Sequence, residues 1–266
     1  MSTLKEILEK TAGGKISVDE AEKLLRVLAV EEIGELAKID TGRELRKGIP
    51  EIVLAEGKGL KDLKEIILRI LSEKGRVIIS RWSKEQIKTL KRNVPPGVLL
   101  EVHEKARMIV IKKREFNVRK TGGKVGIITA GTSDIPVAEE ARVLAEEMGC
   151  TVVKAYDLGV AGVHRLMPPL KEMITEDVDT IIVVAGREGA LPSVVAGMVD
   201  VPVIAVPTSN SYGFGGKGVS ALMAMLQSCS LGIAVVNIDG GISAGAIAVL
   251  IANRVAKFKS GRKSDS

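Results

Sequence analysis

The sequence predicts an α/β protein: a three-layer αβα doubly wound parallel sheet in the C-terminal half, preceded by a smaller α/β domain. Three observations point there. Val/Ile-rich runs that are nearly continuous rather than alternating recur after Lys124, and strands buried on both faces of a parallel sheet read this way. Helical patterns separate those runs, and strand-helix alternation over such a length implies a doubly wound sandwich. The composition agrees. A chain of 266 residues, 45% hydrophobic and 27% charged, is globular and long enough for one large domain or two, each with a real core.

The first half, to about Lys112, is rich in Lys, Glu and Leu. Ser17-Val18-Asp19-Glu20 reads as a capping box opening a helix through Val30. The stretch Asp40-Thr41-Gly42-Arg43-Glu44-Leu45-Arg46-Lys47-Gly48-Ile49-Pro50-Glu51 sets two arginines around a Gly/Pro turn. Arg43 and Arg46 could clamp a phosphate or carboxylate, or the stretch could be a solvated charged turn. Residues 60–72 place apolar side chains at helical spacing. Short β-rich runs at 51–55, 76–80, 98–102 and 108–111 alternate with the helices, so residues 1–115 are expected to form the small domain. Residues 116–123 shift to Lys, Arg, Asn and Gly-Gly and read as a linker.

The second domain is expected at 124–258. Its strands are read at 124–129, 151–156, 180–185, 203–206 and 233–238, with helical patterns such as 137–148 and 219–227 between them. The polar tail, 259–266, is expected to be disordered.

Composition also excludes. Only 2% of the chain is aromatic, too few rings for a base-stacking surface. The net charge of +6 is spread among acids, apart from one basic run at 112–119. It reads as a mild attraction for anionic small molecules rather than a nucleic-acid footprint. Two cysteines, Cys150 and Cys229, make no disulfide framework, and no Cys/His cluster has zinc spacing, so no metal site is expected. The N-terminus lacks an apolar signal core. No uncharged apolar run approaches the roughly 20 residues of a membrane span. A cytoplasmic, reducing setting is therefore expected, with no membrane partner.

Ligands in open parallel sheets bind beyond the carboxyl ends of the strands. After the first strand come Gly131-Thr132-Ser133-Asp134 and a helix start, a phosphate seat by construction. Ser133 or Asp134 could also cap that helix, and the two roles are compatible. The motif is neither a P-loop nor GxGxxG. After the second strand, Gly159-Val160-Ala161-Gly162-Val163-His164-Arg165 puts one of only two histidines in a Gly-rich loop. His164 could be an acid/base or an anion donor, or a capping residue. His103 gives no such signal. After the third come Gly186-Arg187-Glu188-Gly189-Ala190, with Glu188 a general-base candidate and Arg187 an anion partner, or the two an exposed ion pair. After the fourth, the long polar segment from Pro207 to Gly218 reads as a lid. Cys150 directly starts a strand and reads as core. Cys229 lies just past an apolar helix. Free cysteines are usually buried and inert. The negative end of the preceding helix also opposes a thiolate, so an activated Cys229 needs a cation nearby.

The order of these motifs resembles the aminoimidazole ribonucleotide carboxylase/mutase superfamily of purine synthesis. The carriers are Val125 to Val137 with its Gly131-Thr132-Ser133-Asp134, the His164-Arg165 pair, and Pro202-Val203-Ile204-Ala205-Val206-Pro207. Three departures, Ala161-Gly162-Val163 before His164, Arg187-Glu188 in the third loop, and the thiol of Ser228-Cys229, are similar instead to the LarB family of nickel-pincer nucleotide cofactor biosynthesis. So are Glu188 to Gly197, Pro207-Thr208-Ser209 with Tyr212-Gly213, Val235-Val236-Asn237-Ile238-Asp239, and the first-domain segment around Arg43 and Arg46. The likeness covers nearly the whole chain and softens at Gly240-Gly241 and Asn210-Ser211.

The resemblance implies a flavodoxin-like second domain and a carboxylase/hydrolase. The reaction would take nicotinic acid adenine dinucleotide, CO2 and water to pyridinium-3,5-biscarboxylic acid mononucleotide and AMP. Cys229 would add to the pyridinium ring and make an enamine nucleophilic enough for CO2. The cationic ring itself would stabilise the thiolate. Glu188 would remove the C5 proton. Gly131, Thr132, Ser133, Asp134, His164, Gly186, Arg187, Gly189, Ala190, Thr208, Ser209, Tyr212, Asn237 and Asp239 would hold the substrate. No organic cofactor is implied, Mg2+ is an option, and the assembly would be a homo-oligomer, an octamer built from the second domain. The alternatives are a carboxylase or mutase of purine biosynthesis and a non-catalytic nucleotide-binding assembly protein.

Overall fold

The strands sort into two sheets according to what their sequences bury. The computed structural model describes residues 4–31, 43–92 and 94–262, without the side chains of 26–31, 45, 46 and 262. In the second domain β5 (Lys124–Thr129), β6 (Thr151–Ala155), β7 (Thr180–Ala185), β8 (Val203–Pro207) and β9 (Ile233–Val235) form a parallel sheet in the order β6-β5-β7-β8-β9. This is the flavodoxin-like order, with its switch point between β5 and β7. The Val/Ile run of β7 is buried at every position, as its central place requires. Ile182 stands opposite Ile127 on one neighbour and Ile204 on the other.

Helices cover both faces. α6 (Ile135–Glu147) and α10 (Gly241–Arg262) pack on Ile127, Ile182 and Ile204. α7 (Met167–Thr175), α8 (Leu191–Ala196) and α9 (Val219–Leu226) pack on Ile128, Ile181 and Val183. α10 presses so closely on α6 that a Cβ at Gly241 would collide with the Val137 carbonyl and the Glu140 side chain. Among the described residues it is the one helix long and apolar enough by composition to cross a membrane. Its Ala244, Ala248, Val249 and Ala252 are fully buried against the sheet, as in a core helix.

The first domain contains α1 (Leu4–Ala12), α2 (Val18–Glu31), α3 (Arg43–Lys47), β1 (Ile52–Leu54), α4 (Leu60–Lys74), β2 (Arg76–Ser80), α5 (Lys84–Arg92), β3 (Val98–His103) and β4 (Met108–Lys113). The capping box is formed: the Glu20 amide donates to Ser17 Oγ, and the Ser17 amide donates to the Glu20 carboxylate. α4 ends where Gly75 turns left-handed at φ 72° and its N–H closes on the Leu71 carbonyl. The sheet is mixed, in the order β1-β2-β4-β3, with β1 and β2 parallel and the other pairs antiparallel. Val77, Ile79, Ile109 and Ile111 face α4 and α5. Ile78, Met108 and Val110 face the other way, onto Val143 and Leu144 of α6.

Several boundaries differ from the sequence reading, most by one or two residues. β1 is confined to Ile52–Leu54. β9 stops at Val235 rather than 238, because the Asn237 side-chain oxygen takes the Ile238 N–H and Asp239 turns left-handed at φ 55°. The expected disordered tail is corrected at its start: α10 runs on to Arg262, anchored by Lys259, which donates to Asp177 at 2.8 Å and Asp179 at 3.1 Å. Residues 263–266 lie outside the described residues. The expected linker, 116–123, carries no helix or strand.

Candidate active site

A cleft of about 550 Å³ opens beyond the carboxyl ends of β5, β6 and β7, at the switch point. That volume is in the range of small-ligand pockets. Its walls are the turns that follow these strands, with Asn210 and Tyr212 closing it from the segment after β8.

The floor is set by Asp134. Its carboxylate is 4% exposed. One oxygen accepts the Gly131 N–H at 2.9 Å and the other accepts the Thr208 hydroxyl at 2.6 Å. Both partners are in place because β5 and β8 end at the same sheet edge. Gly186 sits directly above, and a Cβ there would come within 2.7 Å of Thr208 Oγ1. Only glycine leaves that corner open. With Asp134 committed to this lattice, Thr132 and Ser133 are presented at the opening of α6. The Ser133 carbonyl accepts the Asn210 side-chain amide at 2.7 Å, which ties the lid to this wall.

The third wall is a strained turn. Arg187 adopts φ 54° and Gly189 φ 64°. For a non-glycine residue this region is costly and is held only by surrounding contacts. The contacts here are the Gly189 N–H to the Gly186 carbonyl and the Arg187 N–H to Ser211 Oγ at 3.0 Å. A Cβ at Gly189 would come within 2.8 Å of the Ala221 carbonyl, so the turn also rests on α9. The effect is to aim Arg187 and Glu188 into the cleft. The Arg187 guanidinium lies 4.2 Å over the Tyr212 ring, a cation–π contact that joins this turn to the lid.

The second wall carries a residue the sequence reading passed over. Asp157, two residues past the end of β6, lines the cleft at φ 63°. Its N–H donates to Thr129 Oγ1 at 3.0 Å, and its carboxylate stands 3.6 Å from the Arg165 guanidinium. The signal was available: Asp157 is the first charged residue past the end of β6, as Arg187 is past β7.

The sequence candidates therefore divide. Gly131, Thr132, Ser133, Asp134, Gly186, Arg187, Glu188, Ala190 and Tyr212 meet in the cleft. Thr208 and Gly189 stand behind it as supports. Ser209 donates its N–H to Asp239 at 2.9 Å, which fixes the base of the lid, and Asn237 caps the end of β9. His164 is exposed and is not among the lining residues. Arg43 opens α3 in the first domain, away from the cleft lining. The side chain of Arg46 lies outside the described residues.

The two cysteines separate as well. Cys150 is fully buried, donates to Asn253 at 3.3 Å, and burial pushes its thiol up to about 11. Cys229 is exposed and is not among the lining residues. Its neighbours hold it against α8, through Ser228 Oγ and Ser193 Oγ at 2.7 Å and through Ser230 Oγ donating to the Ser193 carbonyl at 2.8 Å. Among the described residues no group of three His, Cys, Asp or Glu side chains could hold a metal ion.

Comparisons with known proteins agree with this geometry. Residues 30–114 match the LarB/PurE-like N-terminal domain and residues 124–260 match AIR carboxylase. The chain is 48% identical over 253 residues to an uncharacterized protein of Methanocaldococcus jannaschii, covering 94% of this chain and 96% of the relative. It is 32% identical over 127 residues to the N5-carboxyaminoimidazole ribonucleotide mutase of the same organism, covering 47% of this chain and 76% of that enzyme. The mutase of Pyrococcus abyssi is also 32% identical, over 133 residues, covering 48% of this chain and 72% of that enzyme.

Proposed function

We propose, for a chain that belongs to the AIR carboxylase family and carries a LarB/PurE-like N-terminal domain, that it carboxylates the pyridinium ring of nicotinic acid adenine dinucleotide and hydrolyses its phosphoanhydride. The products are pyridinium-3,5-biscarboxylic acid mononucleotide and AMP. The observation that carries the reading is the Arg187-Glu188 turn. This turn holds a carboxylate and a guanidinium in the switch-point cleft at the expense of a left-handed arginine.

The chemistry needs a carbon nucleophile. A pyridinium ring is electron-poor and does not attack CO2. Addition of the Cys229 thiolate breaks its aromaticity and gives an enamine. The enamine carbon, C5, bonds to CO2. Glu188 then takes the C5 proton, the ring rearomatises, and the C–S bond breaks to return the thiolate. Thr132, Ser133 and the amides at the start of α6 suit the phosphates. His164 is kept as a phosphate or ribose contact, and magnesium as a counter-ion of the phosphates.

In this reading Cys229, exposed and outside the lining of its own cleft, serves the cleft of a second copy. It lies beside an apolar surface: Val219, Met223 and Leu226 of α9 are exposed, and Leu231 next to it is 91% exposed. Exposed apolar side chains gathered along one helix face, as Val219, Met223 and Leu226 are by their spacing, mark an association face. It supports the homo-oligomer, and the octamer by resemblance, built from the second domain.

The test is one incubation with nicotinic acid adenine dinucleotide, bicarbonate and magnesium, followed by mass spectrometry. The expected products are AMP and a mononucleotide heavier by one carboxyl group. Cys229→Ala is expected to abolish carboxylation while the circular dichroism spectrum is kept. Conversion of aminoimidazole ribonucleotide or its carboxylated forms, with the dinucleotide untouched, would replace this reading by a purine-pathway carboxylase or mutase, which the mutase relatives favour.

A further inference from the structure

We propose that Asp157 is a second catalytic carboxylate of the cleft and accepts the proton of the water that cleaves the phosphoanhydride. The proposal rests on the dinucleotide reading above and assigns a step that Glu188 cannot serve.

The reaction has two proton acceptors to supply, and they are needed in different places. One takes the proton from ring carbon C5. The other takes a proton from water as its oxygen bonds to phosphorus. A ribose and a phosphate lie between these points, so one side chain does not reach both. The cleft is lined by three carboxylates: Asp134, Asp157 and Glu188. Asp134 is buried and has both oxygens engaged, by the Gly131 N–H and the Thr208 hydroxyl. It is a structural group. With Glu188 serving the ring, Asp157 is left.

Its placement suits the task. Asp157 and Glu188 follow β6 and β7, which flank β5 on opposite sides. The two strand ends therefore stand two strand spacings apart, about 10 Å. That spacing lets one carboxylate serve the ring while the other serves the anhydride. The Asp157 side chain is 51% exposed, so water has access to it. Its nearest cation, Arg165, is 3.6 Å away, beyond hydrogen-bond length, so the carboxylate oxygens remain available to accept. The backbone strain at φ 63° is held by the Thr129 hydroxyl, a buried group at the end of β5. Arg165 is positioned too. Its Nε lies 2.7 Å from where a Cβ at Gly162 would be, so the missing side chain makes room for the guanidinium beside Asp157.

The step balances. The water oxygen bonds to phosphorus while one O–H bond breaks, and that proton passes to Asp157. The P–O bond of the anhydride breaks, and its electron pair leaves on the departing phosphate. Arg165, beside Asp157, would take up charge developing on the phosphoryl oxygens. Asp157 later releases its proton to solvent.

Asp157→Asn is the test, in the full chain, with both half-reactions followed by mass spectrometry. Asparagine is at home at positive φ, so the fold is expected to persist, and a thermal melt beside wild type checks it. The expected result is that a carboxylated dinucleotide accumulates while AMP release falls about 10²- to 10⁴-fold, the usual range for a lost general base. Asp157→Glu should restore part of the rate. AMP release at the wild-type rate would overturn the proposal. So would an equal loss of carboxylation and AMP release, which would make Asp157 a structural partner of Arg165. A wild-type protein that forms neither product would instead sink the dinucleotide reading, and this proposal with it.

Discussion

The two sheets cover their apolar faces in different ways. The parallel sheet of the second domain is covered by its own helices on both sides, with α6 and α10 on one face and α7, α8 and α9 on the other. The mixed sheet of the first domain covers one face with α4 and α5 and lends the other to the second domain, where Ile78, Met108 and Val110 meet Val143 and Leu144. α6 is therefore buried on two sides. Ala138, Ala141 and Ala145 face one sheet while Val143 and Leu144 face the other. The difference teaches that the parallel sheet is covered without the first domain, whereas one face of the first-domain sheet is covered only by the second domain. It also explains why α6 buries three glutamates. A helix between two sheets has little wet face, so its buried acids depend on the donors and charges around them.

The strongest way to break this comparison is to remove such a partner. Glu147, at the end of α6, accepts Lys112 at 2.8 Å, and Arg76 donates to its carbonyl and carboxylate, so one residue joins β2 and β4 to the scaffold. Glu147→Ala leaves Arg76 and Lys112 buried with less compensation. Loss of one partner of a buried pair typically costs about 3–5 kcal/mol. Lys112 retains Glu101 and Arg76 retains Glu44, which places the expectation at the lower end. Hydrogen exchange should rise in β2 and β4 and stay slow in β5 and β7. Equal loosening of both sheets would show that neither domain is self-sufficient.

A second substitution sharpens the comparison through pH. Burial pushes Glu140 up to about 7, against the pull of the Arg81 charge and the Ile242 N–H. Asp239 raises it further, and Arg107 lowers it. The unfolded chain ionises this group near its ordinary value, so the folded state binds the extra proton. Stability attributable to Glu140 is then greatest in acid and declines as pH rises from about 4.5 towards 7, after which it is flat. Glu140→Gln should remove that slope and stabilise the protein above pH 7 by on the order of 2–3 kcal/mol. Denaturant melts at pH 5 and pH 8 read both numbers. A variant less stable than wild type at pH 8 would mean that the carboxylate is held by Arg81 and Arg107 as an ion.

Much of this was legible in the chain. β2, β5 and β7 follow their Val/Ile runs residue for residue, because a strand buried on both faces has no other way to be written. The cleft walls were legible for the same reason: topology puts every strand-end turn at one edge, so Gly131 to Asp134 and Gly186 to Ala190 meet there. What stayed hidden depends on partners. Periodicity reports that Ile78 and Val110 are buried but not that α6 buries them. The helical pattern at 137–148 does not show that Glu139, Glu140 and Glu147 are buried. The end of α10 reads as a polar tail until Asp177 and Asp179 are seen beneath Lys259. Cys229 is legible as a thiol just past an apolar helix, but its exposure outside the cleft lining is not.

The smallest expected effect lies outside both sheets. α1 and α2 pack on each other, and α2 touches α3. The Ser17–Glu20 capping box is exposed and closes only the first turn of α2. Removing a side-chain cap costs about 1 kcal/mol in a typical helix, with the lower figures at exposed positions. Ser17→Ala should therefore raise hydrogen exchange at the start of α2 and leave the main unfolding transition within about 0.5 kcal/mol of wild type, as for surface changes generally. Product formation should be unchanged, since no residue of the hairpin lines the cleft. A shift of the main transition by more than that would show the hairpin folding as one unit with the first-domain sheet. That sheet would then depend on a third body as well as on the scaffold, and the contrast between a lending and a self-sufficient sheet would have to be redrawn around three parts.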